Sequence, residues 1–300
     1  MKEEKKVKER RVNVKKVVIA YFSGTGSTRK VADCMEEQLT AKGIQVKKLN
    51  VAVEAGRDIQ SADLLMVLAP VYAFRIVSVM EKWVKGLPKT SGTMAAIIAV
   101  SGGGEVSPNT ACREKCKALL KRRNYRLVYE DMIVMPSNFG TQAEKRLNLE
   151  LIQVLPHKVE KIVTSILSGE KKTIRPKALD RILAPLGMGE QVGARFFGRF
   201  IHASKSCNQC GGCVRNCPRK NIQMKDGQPV FGFRCVWCMK CIYGCPRKAL
   251  MPRFLKFCVL NDGYDIRKMS KEAGATKFDK KQPYPDNLAW QGVVDYLKKD

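Results

Sequence analysis

The sequence predicts an α/β chain: a five-stranded, doubly wound parallel sheet followed by a small cysteine-rich α+β unit. Three observations predict it. Strand-type apolar runs alternate with helical stretches through roughly the first 170 residues, the pattern of a parallel sheet covered on both faces. The first run ends in a Gly/Thr-rich turn that opens a helix. Beyond residue 206, one cysteine pattern, C-x2-C-x2-C-x3-C-P, occurs twice.

Residues 1–14 are charged and lack apolar periodicity, which predicts a solvated basic tail. The sheet domain is expected over 15–170. Lys16–Phe22 (KVVIAYF) reads as its first strand, and Val31, Met35 and Leu39 mark one face of the helix that follows, closed by Gly43. Further strand-like runs are Ile44–Val51, Leu64–Val71, Ala95–Val100 and Leu127–Met135, with helical stretches near 76–86 and 108–123. A last helix is expected to open at Thr141 with a capping box to Glu144, to be interrupted by Pro156, and to finish near Ser168-Gly169.

The turn Ser23-Gly24-Thr25-Gly26-Ser27-Thr28 makes an anion cradle, because its backbone N–H groups and the helix N-terminus converge and its hydroxyls add donors. A Walker loop would need a lysine that is missing here, and a dinucleotide fingerprint would need glycine where Arg29 stands. The S-x-T-G-x-T pattern of Ser23, Thr25, Gly26 and Thr28 resembles the phosphate loop of flavodoxins. That resemblance implies a flavodoxin-like fold with strand order 2-1-3-4-5 and FMN as cofactor. It also implies that the flavin ring lies between Pro70-Val71-Tyr72-Ala73-Phe74 and Ser101-Gly102-Gly103-Gly104. Tyr72 is the first candidate to stack on the ring and Phe74 the second; an ordinary loop aromatic packed on a helix is the alternative for each. The glycines would let the backbone approach the ring edge. Met135-Pro136-Ser137-Asn138-Phe139 could cover the face they leave open.

The cysteine runs are Cys207, Cys210, Cys213 and Cys217, then Cys235, Cys238, Cys241 and Cys245, each followed by proline. Their spacing is that by which bacterial ferredoxins hold two [4Fe–4S] clusters, and CNQCGGCVRNCPRK and CVWCMKCIYGCPRK read as two copies of one unit joined at Asp226-Gly227. Zinc is the alternative, although three ligands within seven residues depart from the usual paired knuckles. Three close thiolates can cap three irons of one cubane, and the fourth cysteine is better placed for the neighbouring cluster. The expected sets are therefore crossed: Cys207, Cys210, Cys213 and Cys245 on one cluster, Cys235, Cys238, Cys241 and Cys217 on the other. Together with the M-P-x-N-aromatic stretch, these features resemble a family of anaerobic flavodoxin–ferredoxin fusions. The resemblance implies an electron-transfer protein that couples two-electron and one-electron partners, with a bacterial-type ferredoxin domain over 207–256. A flavin-dependent reductase of a small molecule, fed through the clusters, is the alternative.

The connector, 171–206, mixes apolar residues with arginines, Pro and Gly. A brace between the two units is expected there rather than a membrane-surface helix, although peripheral membrane contact is the other reading. The extension, 257–300, carries helical patterns near Ile266–Ala273 and Leu288–Lys298, the latter with Trp290, Val293, Val294 and Leu297 as a packing stripe. Lys and Arg number 55 against 28 acidic residues, a formal net charge of +27, which points to redox partners with acidic surfaces. Nucleic acid is the weakest reading, because no recognition motif accompanies the charge. No apolar run is long enough to span a membrane and the N-terminus lacks an apolar signal core, so a reducing cytoplasmic setting is expected. Cys34, Cys112, Cys116 and Cys258 are expected to be buried small side chains without a redox role. His157 and His202 have no hydrolytic constellation around them, and His202 is expected to be solvated.

Overall fold

The computed structural model describes residues 13–54, 59, 61–183, 187–279 and 282–299, so nearly all of the basic tail lies outside the described residues. Strands β1 (Lys16–Tyr21), β2 (Gln45–Asn50), β3 (Leu64–Tyr72), β5 (Met94–Ser101) and β6 (Arg126–Val134) form a parallel sheet in the order β2-β1-β3-β5-β6. This is the predicted order of the five long strands. A two-residue strand, β4 (Arg75–Ile76), pairs antiparallel to the end of β3 and was not predicted. Ala73 and Phe74, at φ 54° and 59°, fold the chain back sharply enough to form it.

The period-2 alternation of each strand feeds two cores. Val17, Ile19, Leu64, Met66, Leu68, Ala96 and Ile98 face α1 (Ser27–Ala41) and α5 (Leu155–Leu167). Val18, Ala20, Leu65, Val67 and Ile97 face α2 (Ser78–Lys85) and α3 (Glu114–Arg122). Burial on both faces explains why the central strands read as continuous apolar runs.

One expected helix start is corrected. α4 (Lys145–Gln153) begins four residues after Thr141, and its N-cap, Glu144, makes no side-chain capping bond. Residues 135–142 are instead committed to an irregular wall, tied by Gln142 Nε2 donating to the Ser137 carbonyl at 2.7 Å. The helix break falls at Val154, and Pro156 occupies the first turn of α5, where its missing N–H costs nothing.

The connector contains α6 (Ala178–Leu183) and α7 (Gly187–Arg199). Asp180 of α6 is 0% exposed and accepts hydrogen bonds from Ser107, and from Thr110 at 2.5 Å, on the sheet domain. Phe197 of α7 enters the core of the cysteine-rich unit beside Ile201, Ile222, Phe231 and Ile242. Gly198 allows the closest approach: a Cβ there would meet the Cys235 side chain. The segment therefore touches both units.

The cysteine-rich unit holds β7 (Ile201–Ala203), α8 (Gly212–Asn216), β8 (Ile222–Lys225), β9 (Gln228–Phe231), α9 (Lys240–Tyr243) and β10 (Leu250–Pro252). β7 pairs with β10 and β8 with β9, both antiparallel. The two repeats trace one backbone path. Gln209 and Trp237 lie at φ 58° and 56°, Gly211 and Met239 at 67° and 56°, and Lys220 and Lys248 at 47° and 48°. In the extension, α10 (Ile266–Ala275) is N-capped by Asp265, whose carboxylate accepts from the Arg267 and Lys268 amides. α11 (Gln291–Lys298) buries Val293, Val294 and Leu297 against Val134, Leu147 and Leu151, the packing role expected of that stripe. Among the described residues no helix is long and apolar enough to cross a membrane.

Candidate cofactor site

The Ser23–Thr28 turn sits at the carboxyl end of β1, where an open parallel sheet presents its binding crevice. Gly26 is the N-cap of α1 at φ 109°, a conformation that favours glycine, and no side chain caps the helix. The first amides of α1 are thus left for a ligand, and no acidic residue occupies the first turn to compete with an anion. Ser23 Oγ accepts from the Gly26 amide at 3.1 Å and shapes the turn. Thr28 is 2% exposed, and Thr25 Oγ1 accepts from Asn138 Nδ2 at 2.8 Å. Tyr264 braces the turn from the extension: its hydroxyl lies 2.5 Å from Ser27 Oγ and donates to the Pro136 carbonyl at 3.0 Å.

A cavity of about 510 Å³ opens beside this turn. It is lined by Ser23, Gly24, Thr25, Ser27 and Thr28, by Pro70-Val71-Tyr72-Ala73-Phe74, and by Ser101, Gly102 and Gly103. The structure therefore brings together nearly all the residues that the sequence marked for the flavin. Gly26 and Gly104 are the exceptions. Gly26 faces the opposite cleft, where a Cβ would meet Ile266 Cγ2 at 2.7 Å. Gly104, at φ 86°, makes its close approach to α11, since a Cβ there would lie 2.6 Å from the Gly292 carbonyl oxygen. Its glycine serves that packing rather than a ring edge. Gly103, where a Cβ would touch only Asn109 Nδ2 at 3.7 Å, is held by its own amide donating to Ser101 Oγ at 3.1 Å.

Tyr72 is half-buried and hydrogen-bonded to the Asn138 side chain; burial, with the Cys238 thiol and Tyr264 nearby, pushes its hydroxyl well above the ordinary tyrosine value. Phe74 is 39% exposed at the cavity mouth. The Met135–Phe139 stretch lines the wall as expected of a cover. Trp237, Leu255, Phe257, Cys258 and Trp290 complete the lining, and sequence reasoning assigned none of them to the site. The one signal available was Trp237, an indole between two cluster-type cysteines where the other copy carries Gln209.

No lining side chain of this cavity is ionisable as an acid or base near neutral pH. Aromatic walls with a few hydroxyl, amide and backbone donors suit a planar heteroaromatic ring, and the uncapped helix end suits its phosphate. The residues present fit FMN.

The second cysteine run lies directly against this site. A Cβ on Gly24 would meet the Cys238 carbonyl oxygen, the Tyr72 hydroxyl at 2.7 Å and Cys238 Cβ at 3.0 Å, so the two loops are in contact. Burial pushes the Cys241 thiol well up, and the next contributors are Cys238, Cys235, Cys217 and Cys213. Cys235 is raised to about 11 by burial and then by Cys217, against the pull of the Trp237 and Val236 amides. Cys238 is raised to about 12 by burial and then by Cys235. For Cys213 burial is again largest, and its cysteine neighbours are Cys207 and Cys210. Cys217 and Cys213 of the first run therefore both lie near the second run. Cys217 sulfur accepts from the Asn221 amide at 3.3 Å, and Cys245 sulfur accepts from the Ala249 amide at the same distance. Among the described residues no three cysteine, histidine or acidic side chains form a group that could hold a metal ion. A cubane takes each thiolate at a separate iron corner, and the donor set of eight cysteines fits two of them by chemistry and spacing.

The remaining cysteines are elsewhere. Cys112 and Cys116 are buried under the sheet, and burial raises Cys112 to about 12 and Cys116 further. Cys34 is half-buried rather than buried, and desolvation raises it to about 11. Cys258 is buried at the cavity wall, and His202 is exposed on β7.

Residues 18–128 match the flavodoxin domain. Solved structures similar to the chain include a flavodoxin of Streptococcus pneumonia TIGR4, 17% identical at TM-score 0.37, covering 50% of this chain and 99% of that one. Another is the azoreductase of Bacillus anthracis str. Sterne, 12% identical at TM-score 0.40, covering 51% and 100%. A third is the two-electron reduced flavodoxin of Megasphaera elsdenii, 18% identical at TM-score 0.35, covering 49% and 98%. No curated protein matches the chain. The domain match together with the strand order β2-β1-β3-β5-β6 makes the amino-terminal half a flavodoxin-like parallel α/β sheet.

Proposed function

We propose that the chain is an electron-transfer flavo-iron–sulfur protein that relays electrons between FMN and two [4Fe–4S] clusters. The observation that carries the reading is the contact of Cys238 with Gly24, which sets a cluster-type cysteine loop against the flavin-type phosphate turn. When bound, FMN exchanges electrons singly or in pairs and each cluster exchanges one, so together they link two-electron and one-electron partners. In this reading Ser23, Gly24, Thr25, Ser27 and Thr28 face the phosphate, Gly26 shapes the turn that presents them, and Tyr72 with Ser101, Gly102 and Gly103 bounds the ring. Cys207, Cys210, Cys213 and Cys245 hold one cluster, and Cys235, Cys238, Cys241 and Cys217 hold the other. Between Cys207 and Lys256 stand ten Lys or Arg and a single acid, Asp226. That surface suits redox proteins with acidic faces in the cytoplasm.

The test is anaerobic reconstitution with FMN, iron and sulfide, followed by a redox titration read optically and by EPR. One FMN and about eight irons per chain are expected, the iron demand of two [4Fe–4S] clusters. A chain that stays free of iron and flavin would end the reading. Saturable turnover of a quinone, nitro or azo compound would shift it to a reductase.

A further inference from the structure

α7 braces the two units with one face and leaves a second apolar stripe outside. Ala194 and Phe197 are buried, whereas Val192, Phe196 and, just past the helix end, Phe200 follow at four-residue steps and are exposed. The stripe continues across the fold. The Phe196 ring meets Phe233 edge-on at 6.0 Å, and the Phe200 ring meets Phe254 edge-on at 5.2 Å. The Arg253 amide donates to the Phe200 carbonyl at 3.0 Å, which sets the segment 253–257 beside the helix end. Phe196, Phe233, Phe254 and Phe257 are each more than half exposed, and connected rings left to water mark a surface that something covers. Each exposed ring also has a cation next to it in the chain: Arg195-Phe196, Arg199-Phe200, Phe233-Arg234, Arg253-Phe254 and Lys256-Phe257. From Val192 to Lys256 the sequence holds one acid, Asp226. At the edge of the patch, Phe233 shares a cavity of about 460 Å³ with Lys82, Arg195, Arg219 and Arg234, and no acidic residue lines it. The cleft that Gly26 faces collects as many cations, but Asp33 and Asp265 stand among them.

We infer that this face docks the chain onto an anionic phospholipid surface. The phenylalanines enter the interface, the flanking Lys and Arg stay at the phosphates, and the cationic cavity takes a headgroup. The alternation is what favours lipid over an acidic protein. The centre of a protein interface is depleted of charge, whereas here every exposed ring is flanked by a cation. Leu255 and Phe257 also line the cofactor cavity, so docking holds that edge of the cavity at the lipid. The inference goes beyond the electron-relay reading and does not depend on it.

The experiment is co-sedimentation of the full chain, reconstituted anaerobically, with phosphatidylcholine vesicles that do or do not contain about one third phosphatidylglycerol. The parent should bind the anionic vesicles, leave the neutral ones, and be released as salt rises. Phe196→Ser with Phe254→Ser keeps every charge and should weaken binding by roughly tenfold or more. Lys82→Gln with Arg195→Gln should weaken it by about fivefold for each cation. Lys42→Gln with Lys161→Gln removes the same charge from α1 and α5, on the other face of the sheet, and should change binding less than about twofold. No binding of the parent to anionic vesicles would overturn the inference. Equal losses in the two lysine-bearing pairs would also overturn it, because the attraction would then be net charge without a docking face. Parent-like binding by the phenylalanine pair would do the same, and if that pair loses affinity for a small acidic redox protein instead, the face is a protein interface. Flavin and iron content of the same samples test the relay reading separately: vesicle binding without cofactors would sink that reading alone, and loaded protein that ignores vesicles would sink this one alone.

Discussion

The two halves meet at Gly24, and Gly24→Ala tests whether that contact matters. Its backbone is outside the left-handed region, so the cost of a methyl group is steric alone. The new Cβ would lie 2.7 Å from the Tyr72 hydroxyl and 3.0 Å from Cys238 Cβ, with the Cys238 carbonyl oxygen nearer still. Ordinary contact begins at 3.4 Å, so Tyr72 must yield from 2.7 to 3.4 Å, about 0.7 Å, and the Cys238 backbone by more. Tyr72 is held by Asn138, and Cys238 by its neighbours in the cluster loop, so neither yields freely. Overpacking of a well-packed site costs about 1–3 kcal/mol. Expressed in FMN binding, that is roughly a 5- to 150-fold rise in dissociation constant. Fluorescence titration of the anaerobically reconstituted chain reads it, together with the urea midpoint of the same sample. Gly274→Ala is the matched control. A Cβ there meets nothing within 4 Å, on the exposed side of α10, and Ala in place of Gly should stabilise by about 0.5 kcal/mol. If Gly24→Ala leaves both quantities at parental values while the control rises, the two loops do not press on one another and the reasoning fails.

Cys245→Ala should deplete the cluster of Cys207, Cys210 and Cys213 and spare the other, as EPR and iron analysis would show; the reverse pattern would refute crossed ligation. Thr25→Ala combined with Thr28→Ala should weaken FMN by roughly tenfold, from about two lost hydrogen bonds, with iron retained. Loss of iron instead would place the turn in the cluster region. Asp180→Ala removes the acceptor of Ser107 and Thr110 and should lower stability by about 1.5–3 kcal/mol, read from the urea midpoint. Burial alone would raise the Asp180 pKa, but those hydroxyls and the Thr110 backbone outweigh it and hold the group below its ordinary value. Its contribution is therefore present above about pH 4 and is lost as pH falls through the lower folded value. The gap between parent and variant should narrow in that acid range; a gap constant with pH would contradict the assignment.

What was legible in the sequence was local. β1, its turn and α1 could be read from one apolar run, two glycines and a helical face. Both cysteine runs announced themselves by spacing, and their matching φ values show that sequence repetition carried through to backbone repetition. What escaped was set by distant partners. The Thr141–Glu144 pattern looked like a helix start, but 135–142 had to build a wall, so α4 opens late. Gly104 looked like a ligand glycine because Gly292, 188 positions on, could not be foreseen as its neighbour. Trp290 read only as part of an apolar stripe, and nothing local told it apart from Val293 or Leu297, which do turn inward. Trp237 carried a hint, since its repeat partner is Gln209, but a hint of difference does not specify a destination.

The close approach of Gly103 and Gly104 to Gly292 works as a latch. It fastens α11 to the loop that follows the fourth long strand, and Trp290, at the start of that helix, lines the cavity. An isolated amino-terminal half would keep the phosphate turn and lose the roof, leaving any flavin it held with one side bathed in solvent. The chamber wall is thus complete only with the carboxyl-terminal helix in place.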